Sequence, residues 1–192
     1  MSIVVGVRKG PDTIIASDTQ NNFGSQVMTP ENHRTSKIHN LGSAYLGTTG
    51  WGLYDNILRD FLAHERKVEL TDQGSIFAFF LKFWKALHDH YTFVDDKRDS
   101  DDESPFADID ASFLVVNPGG IFYVASDLSV TAFKQYFAIG SGSNYSLGTL
   151  HGLYESQMGA EELAGAAVDS AIAFDVYCGG KVELKKIVAR QP

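Results

Sequence analysis

Cysteine and long apolar runs are scarce in this chain, and both absences narrow its class. The 192 residues include one cysteine, Cys178, so no disulfide can form within the chain, and we expect a protein of the cytoplasm. No apolar run reaches the roughly 20 residues that a membrane-spanning helix needs. The first residues also lack the basic segment, apolar core and cleavage site of a secretory signal.

Positive charge is scarce too. Lysine and arginine number 16 against 24 aspartates and glutamates, for a net charge of −8. This balance argues against nucleic acid or an anionic membrane as the main partner. A hydrophobic content of 44% is that of an ordinary globular chain. The length predicts a single domain over residues 1–192.

Short β-rich runs separated by turn signals form two groups along the chain, and each group is followed by segments with helical periodicity. Asp72 is the predicted N-cap of the second helix, whose wide apolar face indicates burial on two sides or a subunit contact. The predicted strands are 3–7, 12–17, 35–38, 43–48, 111–117, 120–125, 133–139 and 181–188, and the predicted helices are 53–65, 73–91, 143–158 and 160–173. Residues 19–33 are predicted to form a loop.

The order of these elements decides the fold class. Helices come in two adjacent pairs between groups of strands, which differs from the regular alternation of a parallel α/β fold. We therefore predict an α+β protein, built as a four-layer α/β/β/α sandwich. Between its halves, residues 94–110 carry eight carboxylates, a block that we interpret as a solvated acidic loop.

Ser2 is the most informative single residue. Removal of Met1 would leave a serine that carries both a hydroxyl and a free α-amine. The amine, with an ordinary pKa of about 7.7–8.0, can accept the hydroxyl proton near neutral pH. An N-terminal serine is thus a nucleophile with its own base.

Five stretches in order resemble the N-terminal-nucleophile hydrolases of the proteasome β-subunit and HslV type. They are the opening segment with Asp18 sixteen residues after Ser2, Ser-Lys-Ile at 36–38, the glycine-rich turn at Gly50, Ile-Gly-Ser-Gly-Ser at 139–143, and Phe-Asp-Val-Tyr-Cys-Gly-Gly at 174–180. Within the family, the chain is most similar to the betaproteobacterial proteasome homologues. Relatives mostly use threonine where this chain has Ser2.

The resemblance implies a role for each matched residue. Ser2 would be the nucleophile, and Lys37, paired with Asp18, would disfavour protonation of its amine. Gly50 would donate its backbone N–H to the oxyanion. The remaining implied residues, which would support the nucleophile, are Ser141 and Asp175 together with Gly142 and Cys178. Many relatives carry serine at position 178, and a thiol is a weaker hydrogen-bonding group.

The resemblance also implies an activity and an assembly. We expect a serine-type endopeptidase that forms a homo-oligomeric double ring of six or seven subunits per ring, and that cleaves peptides or unfolded proteins. An ATP-dependent unfoldase is a candidate partner. Neither a cofactor nor a metal is expected.

Two other functions stay open at this level. A chain that retains Met1 has no free Ser2 amine, and would be a non-catalytic ring subunit. An N-terminal-nucleophile amidase that acts on a small molecule is the second. If the acidic loop 94–110 lines the chamber of a ring, its charge would favour basic substrates.

Overall fold

Two antiparallel sheets lie face to face at the centre of the molecule, and a helix pair covers the outer side of each. The computed structural model describes residues 2–28, 31–33, 36–65, 68–91 and 109–187. In chain order its elements are β1 (Ile3–Lys9), β2 (Asp12–Asp18), β3 (Asn21–Phe23), β4 (Gln26–Met28), β5 (Ile38–Asn40), β6 (Tyr45–Gly50), α1 (Gly52–His64), α2 (Gln73–His90), β7 (Ala111–Asn117), β8 (Gly120–Val124), β9 (Val130–Phe133), β10 (Tyr136–Gly140), α3 (Ser143–Leu153), α4 (Ala160–Phe174) and β11 (Val182–Lys186). The predicted α+β fold and four-layer α/β/β/α sandwich are confirmed.

The two sheets differ in how they use the chain. The first has the order β10-β1-β2-β11 and joins both ends of the described chain, whereas the second, β5-β6-β7-β8-β9, is a run of sequential neighbours. β3 and β4 form a separate hairpin. β1 lies inside its sheet, hydrogen-bonded to β2 on one side and to β10 on the other.

Alternation along the strands builds the layers. Successive side chains of a strand point to opposite faces of its sheet. Val4 and Ile15 accordingly meet Leu114 of the second sheet in the buried cluster between the sheets. Their neighbours Ile3 and Val5 belong to the cluster under α3 and α4. Both faces of the first sheet are therefore buried, which explains its continuous apolar sequence.

The two helix layers pack differently. α4 lies on β1 and β2 through small residues such as Ala164, Ala167 and Ala171, which let the helix approach closely. The α1–α2 layer is instead aromatic: Phe80 is fully buried, with its ring centroid 4.7 Å from that of Phe113. Phe77, on the same helix, is 46% exposed.

The helices were predicted to within two residues, α3 excepted. Asp72 caps α2 as expected, with its side chain accepting from the Ser75 N–H in a capping box. α3 ends at Leu153, five residues before the predicted end at 158, because the chain turns there before α4 begins. The predicted strand at 35–38 is shifted: β5 begins at Ile38, and residue 35 lies outside the described residues.

Two predictions about strands were wrong. Residues 19–33 were expected to be a loop, but they contain the β3–β4 hairpin, whose three-residue strands are too short to show a clear alternation. The strand predicted at 133–139 corresponds to β10, which begins at Tyr136, and the prediction missed β9, which ends at Phe133 and belongs to the other sheet. Of the acidic loop 94–110, only residues 109 and 110 belong to the described part.

The described residues contain neither a membrane-spanning helix nor a cluster of metal-binding side chains. None of their helices is long and apolar enough to cross a membrane. Nor does this part of the chain bring together three or more histidine, cysteine or carboxylate side chains that could hold a metal ion.

Phe80 and Phe77 provide a test of the aromatic layer. Phe80→Ala is expected to lower the free energy of unfolding by about 3–5 kcal/mol, since it leaves a cavity beneath α2. Phe77→Ala, on the exposed side of the same helix, should cost less than about 1 kcal/mol. Urea denaturation of both variants at one protein concentration measures the difference, and equal losses would contradict this account of the core.

Candidate active site

Ser2 lies at the start of the inner strand β1, buried to 7% exposure. The neighbouring strand β10 ends beside it, with Gly140 paired to Ile3. Gly140 has φ +103°, and a Cβ there would overlap the Ser2 carbonyl oxygen. Glycine at 140 is therefore required for the close approach of the two strands that fixes the Ser2 backbone.

Asp18 and Lys37 form an ion pair beside Ser2. The Lys37 Nζ donates to Asp18 Oδ1 at 2.6 Å, and the two residues are 6% and 0% exposed. The same Oδ1 accepts from the Ile3 N–H at 3.1 Å, and Oδ2 accepts from the Gly179 N–H at 3.0 Å. The carboxylate thus holds the residue after Ser2 as well as the lysine.

Burial changes the acid–base behaviour of Lys37. Loss of hydration lowers the pKa of its ammonium below the usual value, while the charge of Asp18 and its hydrogen bond act in the opposite direction. A buried ammonium without its carboxylate would therefore lose its proton readily. Asp18 is what retains positive charge at this position.

A cavity of about 680 Å³ opens in front of these residues. Ser2, Lys37 and Gly50 all line it, so the structure brings the predicted nucleophile, lysine and oxyanion glycine to one wall. Two exposed aromatic side chains, Phe23 of the β3–β4 hairpin and Trp51, also line the cavity. The wall is more apolar than polar, as ligand-binding clefts usually are.

Gly50 ends β6 in a conformation that favours glycine. Its φ is +119°, and a Cβ would lie 2.5 Å from the Asp110 carbonyl oxygen. The backbone at position 50 can therefore approach a ligand closely, without a side chain in the way.

The other predicted residues gather on the opposite side of Ser2. The Ser141 hydroxyl donates to the Ser2 carbonyl oxygen at 3.5 Å and also hydrogen-bonds Asp175. The Cys178 thiol donates to Asp175 Oδ2 at 3.4 Å. Gly142 packs under this group, because a Cβ there would lie 2.9 Å from the Cys178 Sγ.

The pKa values of this group follow from burial and hydrogen bonds. Burial raises the pKa of Asp175, but the hydrogen bonds from Ser141, the Tyr177 N–H and Cys178 outweigh it, and the pKa is lowered. Burial and the nearby carboxylates Asp18 and Asp175 raise the pKa of Cys178 to about 12. Cys178 is a small, protonated residue that contributes a weak hydrogen bond, as its chemistry suggested.

Sequence reasoning missed a polar network at the wall of this cavity, centred on Asp55 of α1. Asp55 Oδ1 lies 2.7 Å from the His39 Nε2 and accepts from the Thr48 hydroxyl at 3.3 Å. Asp55 Oδ2 accepts from Arg59 at 2.8 Å, and Arg59 donates in turn to the Ser36 carbonyl oxygen at 2.8 Å.

This network encloses Lys37 on both sides along the chain. Arg59 holds the residue before it, and Asp55 holds the residue after next, His39. Thr48 of the same network donates its N–H to the Lys37 carbonyl oxygen at 3.0 Å. The spacing of Asp55 and Arg59 at i and i+4 was the only signal in the sequence, and a salt bridge on a helix surface has the same spacing.

Solved structures of proteasome-related proteins resemble the chain over nearly its whole length. Thiobacillus denitrificans BPH, a bacterial proteasome homologue, is 28% identical over 99% of this chain and 100% of that chain, with a TM-score of 0.88 in its complex with epoxomicin. A second structure of that protein gives the same identity and TM-score over 98% of this chain. No family model and no curated protein matches the chain.

The chain thus resembles proteins of the proteasome/HslV type in sequence and in fold. HslV from Trypanosoma brucei, at 16% identity and a TM-score of 0.66 over 96% of this chain and 98% of that chain, shares the fold. The resemblance expected from the sequence is thereby confirmed, and these neighbours support a proteasome-type peptidase subunit.

Cys178 in this proteasome-type subunit should be inert towards alkylation. A thiol of pKa about 12 is ionised to about one part in ten thousand at pH 8. We expect iodoacetamide at pH 8 to leave the folded protein unmodified, and to add one carbamidomethyl group in 8 M urea, as measured by intact mass. Rapid alkylation of the folded protein would contradict the assigned environment.

Asp55→Asn tests the network around Lys37. Its partners hold the pKa of Asp55 below 3.8 despite burial, which by itself raises that pKa. A depressed folded-state pKa gives stability that is present above the unfolded value and is lost as pH falls through the folded value. The substitution should therefore lower the free energy of unfolding by about 1–3 kcal/mol at pH 7. When the pH falls from 5 to 3, the free energy of unfolding should decrease less in the variant than in the wild type. Urea denaturation across this range provides the measurement, with Asp89→Asn on α2 as the control for loss of one surface carboxylate.

Proposed function

We propose that this chain hydrolyses peptide bonds with Ser2 as an N-terminal nucleophile after removal of Met1. The observation that carries the proposal is the placement of Ser2, Lys37 and Gly50 on one cavity wall, with the Lys37–Asp18 pair buried beneath. Similarity to proteins of the proteasome/HslV type supports a peptide as the substrate.

The first step is attack on the substrate carbonyl carbon. The Ser2 Oγ forms a bond to this carbon, and the Ser2 α-amine accepts the hydroxyl proton through a water molecule. Positive charge on Lys37, retained by Asp18 at 2.6 Å, disfavours protonation of the amine. The amine is therefore available as a base near pH 7.

The negative charge that develops on the carbonyl oxygen needs a donor. The Gly50 N–H is the candidate, because it lines the same cavity as Ser2 and carries no side chain. A preorganised backbone donor of this kind is worth about 2.7–4 kcal/mol in the transition state.

The reaction then proceeds in two stages, the collapse of the tetrahedral intermediate and the hydrolysis of an ester. The C–N bond breaks, the protonated α-amine of Ser2 returns a proton to the leaving nitrogen, and an ester links the acyl half to Ser2 Oγ. Water then attacks the ester, the C–O bond breaks, and the Ser2 hydroxyl is regenerated. Ser141 and Asp175, which hydrogen-bond each other and reach the Ser2 carbonyl through Ser141, would hold the nucleophile in place through both stages.

We further propose the assembly that the family resemblance implies. The subunits would form a homo-oligomeric double ring of hexamers or heptamers in the cytoplasm, with the cavities facing an inner chamber that admits peptides and unfolded chains. An ATP-dependent unfoldase would supply folded substrates. Native mass spectrometry of the purified protein would give the number of subunits.

An epoxyketone tests the nucleophile directly, since this reagent forms a ring with both a hydroxyl and a free α-amine. The complex of Thiobacillus denitrificans BPH with epoxomicin supports this choice. We expect the intact chain to lack Met1 and to gain the mass of one inhibitor, and Ser2→Ala to gain none. Lys37→Met should slow peptide hydrolysis by about 10²–10⁴-fold, the usual contribution of a tuned general base.

Two outcomes would count against the proposal. A chain that retains Met1 and takes no inhibitor would support the non-catalytic ring subunit. A Ser2→Ala variant that still binds inhibitor covalently would place the nucleophile elsewhere. Ser129→Ala, in the turn between β8 and β9, serves as the control for loss of a hydroxyl outside the site.

A further inference from the structure

A second cavity of about 480 Å³ lies next to the first. The two share the end of β6 and the start of β7 as a common wall, made of Thr49, Gly50 and Ala111. Ser2 lines the larger cavity and does not line the smaller one. The candidate oxyanion donor, Gly50, thus stands between two spaces that could each hold part of a substrate.

The lining of the smaller cavity has a distinct chemistry. An apolar floor that includes Ile139 and Leu147 is surrounded by hydroxyl groups. The hydroxyl-bearing residues are Thr49, Ser112, Tyr123, Ser126, Ser141 and Ser143. Among the residues described in its wall, Asp110 is the one that carries a charge.

The Asp110 carboxylate is held in position at this wall. Its Oδ2 accepts a hydrogen bond from the Trp51 indole, and its carbonyl oxygen accepts from the Trp51 N–H at 3.4 Å. Asp110 itself is exposed, so its charge can act on a bound group. The neighbouring acidic residue, Asp175 behind Ser141, adds negative charge on the same side.

The proposed reaction assigns one half of the substrate to each cavity. The acyl half stays bonded to the Ser2 Oγ after the first stage, and Ser2 faces the larger cavity. The carbonyl oxygen lies at Gly50, in the common wall. The leaving half, on the other side of the scissile bond, therefore extends into the smaller cavity.

We propose that the smaller cavity binds the leaving half of the peptide, and that Asp110 makes it favour a basic residue directly after the cleaved bond. This inference rests on the proposed function, because it requires an acyl-enzyme at Ser2. The preference is modest, about two- to fivefold, since an exposed carboxylate pairs weakly with a cation in water. It should fall as salt is added.

Competition between water and added amines isolates this half of the site. When the acyl-enzyme forms from a fluorogenic peptidyl amide, an amino-acid amide can attack the ester in place of water. The amine nitrogen bonds to the acyl carbon, the bond between this carbon and the Ser2 Oγ breaks, and the proton lost by the amine passes to the Oγ, which regenerates the hydroxyl. The ratio of peptide product to hydrolysed product then measures how well each amine is bound in the smaller cavity.

Argininamide and citrullinamide are the matched probes, because they differ in charge and hardly in shape. We expect argininamide to be incorporated about two- to fivefold more efficiently than citrullinamide by the wild type. Asp110→Asn should bring the two ratios close together, while Asp89→Asn, on α2 and in the lining of neither cavity, should preserve the preference. The α-amide of glutamate, whose side chain is negatively charged, should be incorporated less efficiently than either of these two amides.

The outcomes separate this inference from the proposed function. Release of the fluorophore with equal incorporation of argininamide and citrullinamide would overturn the role of Asp110 and leave the nucleophile intact. A preference that survives Asp110→Asn would overturn it as well. Absence of both fluorophore release and an epoxyketone adduct would instead overturn the proposed function itself.

Discussion

The ion pair between Lys37 and Asp18 joins the two sheets of the sandwich at the site. Asp18 ends β2 of the first sheet, and Lys37 directly precedes β5 of the second. Both are buried, so each needs the other: removal of one partner from such a pair typically costs about 3–5 kcal/mol. The carboxylate also binds the backbone N–H groups of Ile3 and Gly179. One interaction therefore fixes the packing of the layers and the position of the residue next to Ser2.

The network at Asp55 holds the backbone around Lys37, whose side chain is held by the ion pair. A lysine in a buried ion pair can tune a neighbouring amine only if its own backbone is fixed, and Lys37 lies just outside regular secondary structure. Arg59 and His39 hold the chain on both sides of it, and both depend on Asp55. Helix α1 thus acts as a support for the lysine as well as a layer of the fold.

The sequence predicted those parts of the molecule that depend on local patterns. Apolar periodicity located all four helices, and the Asp72 cap follows from local hydrogen bonding. The β3–β4 hairpin and the turn between β9 and β10 were missed, because three- to five-residue strands in polar surroundings carry little periodicity. The seven predicted site residues other than Ser2 came from a resemblance to a family, and the structure places them around Ser2. Asp55 could not be found this way, because its partners His39 and Thr48 are brought near it only by the fold.

The common wall of the two cavities is the place where the reacting carbonyl of a substrate would lie. A hydrolase that passes through an acyl-enzyme must hold one half of its substrate while it releases the other, so the two halves need separate spaces with the reacting carbonyl between them. Gly50 and Thr49 occupy that boundary here. Gly50 lies close to the Asp110 carbonyl oxygen, and Thr49 lies beside Gly140 of the first sheet, where an added Cβ would be 3.1 Å from the Thr49 Cγ2. The backbone that would stabilise the oxyanion is thus packed between both sheets. Asp110, whose carbonyl oxygen lies beside Gly50, places its charge next to this boundary between the two halves of the substrate.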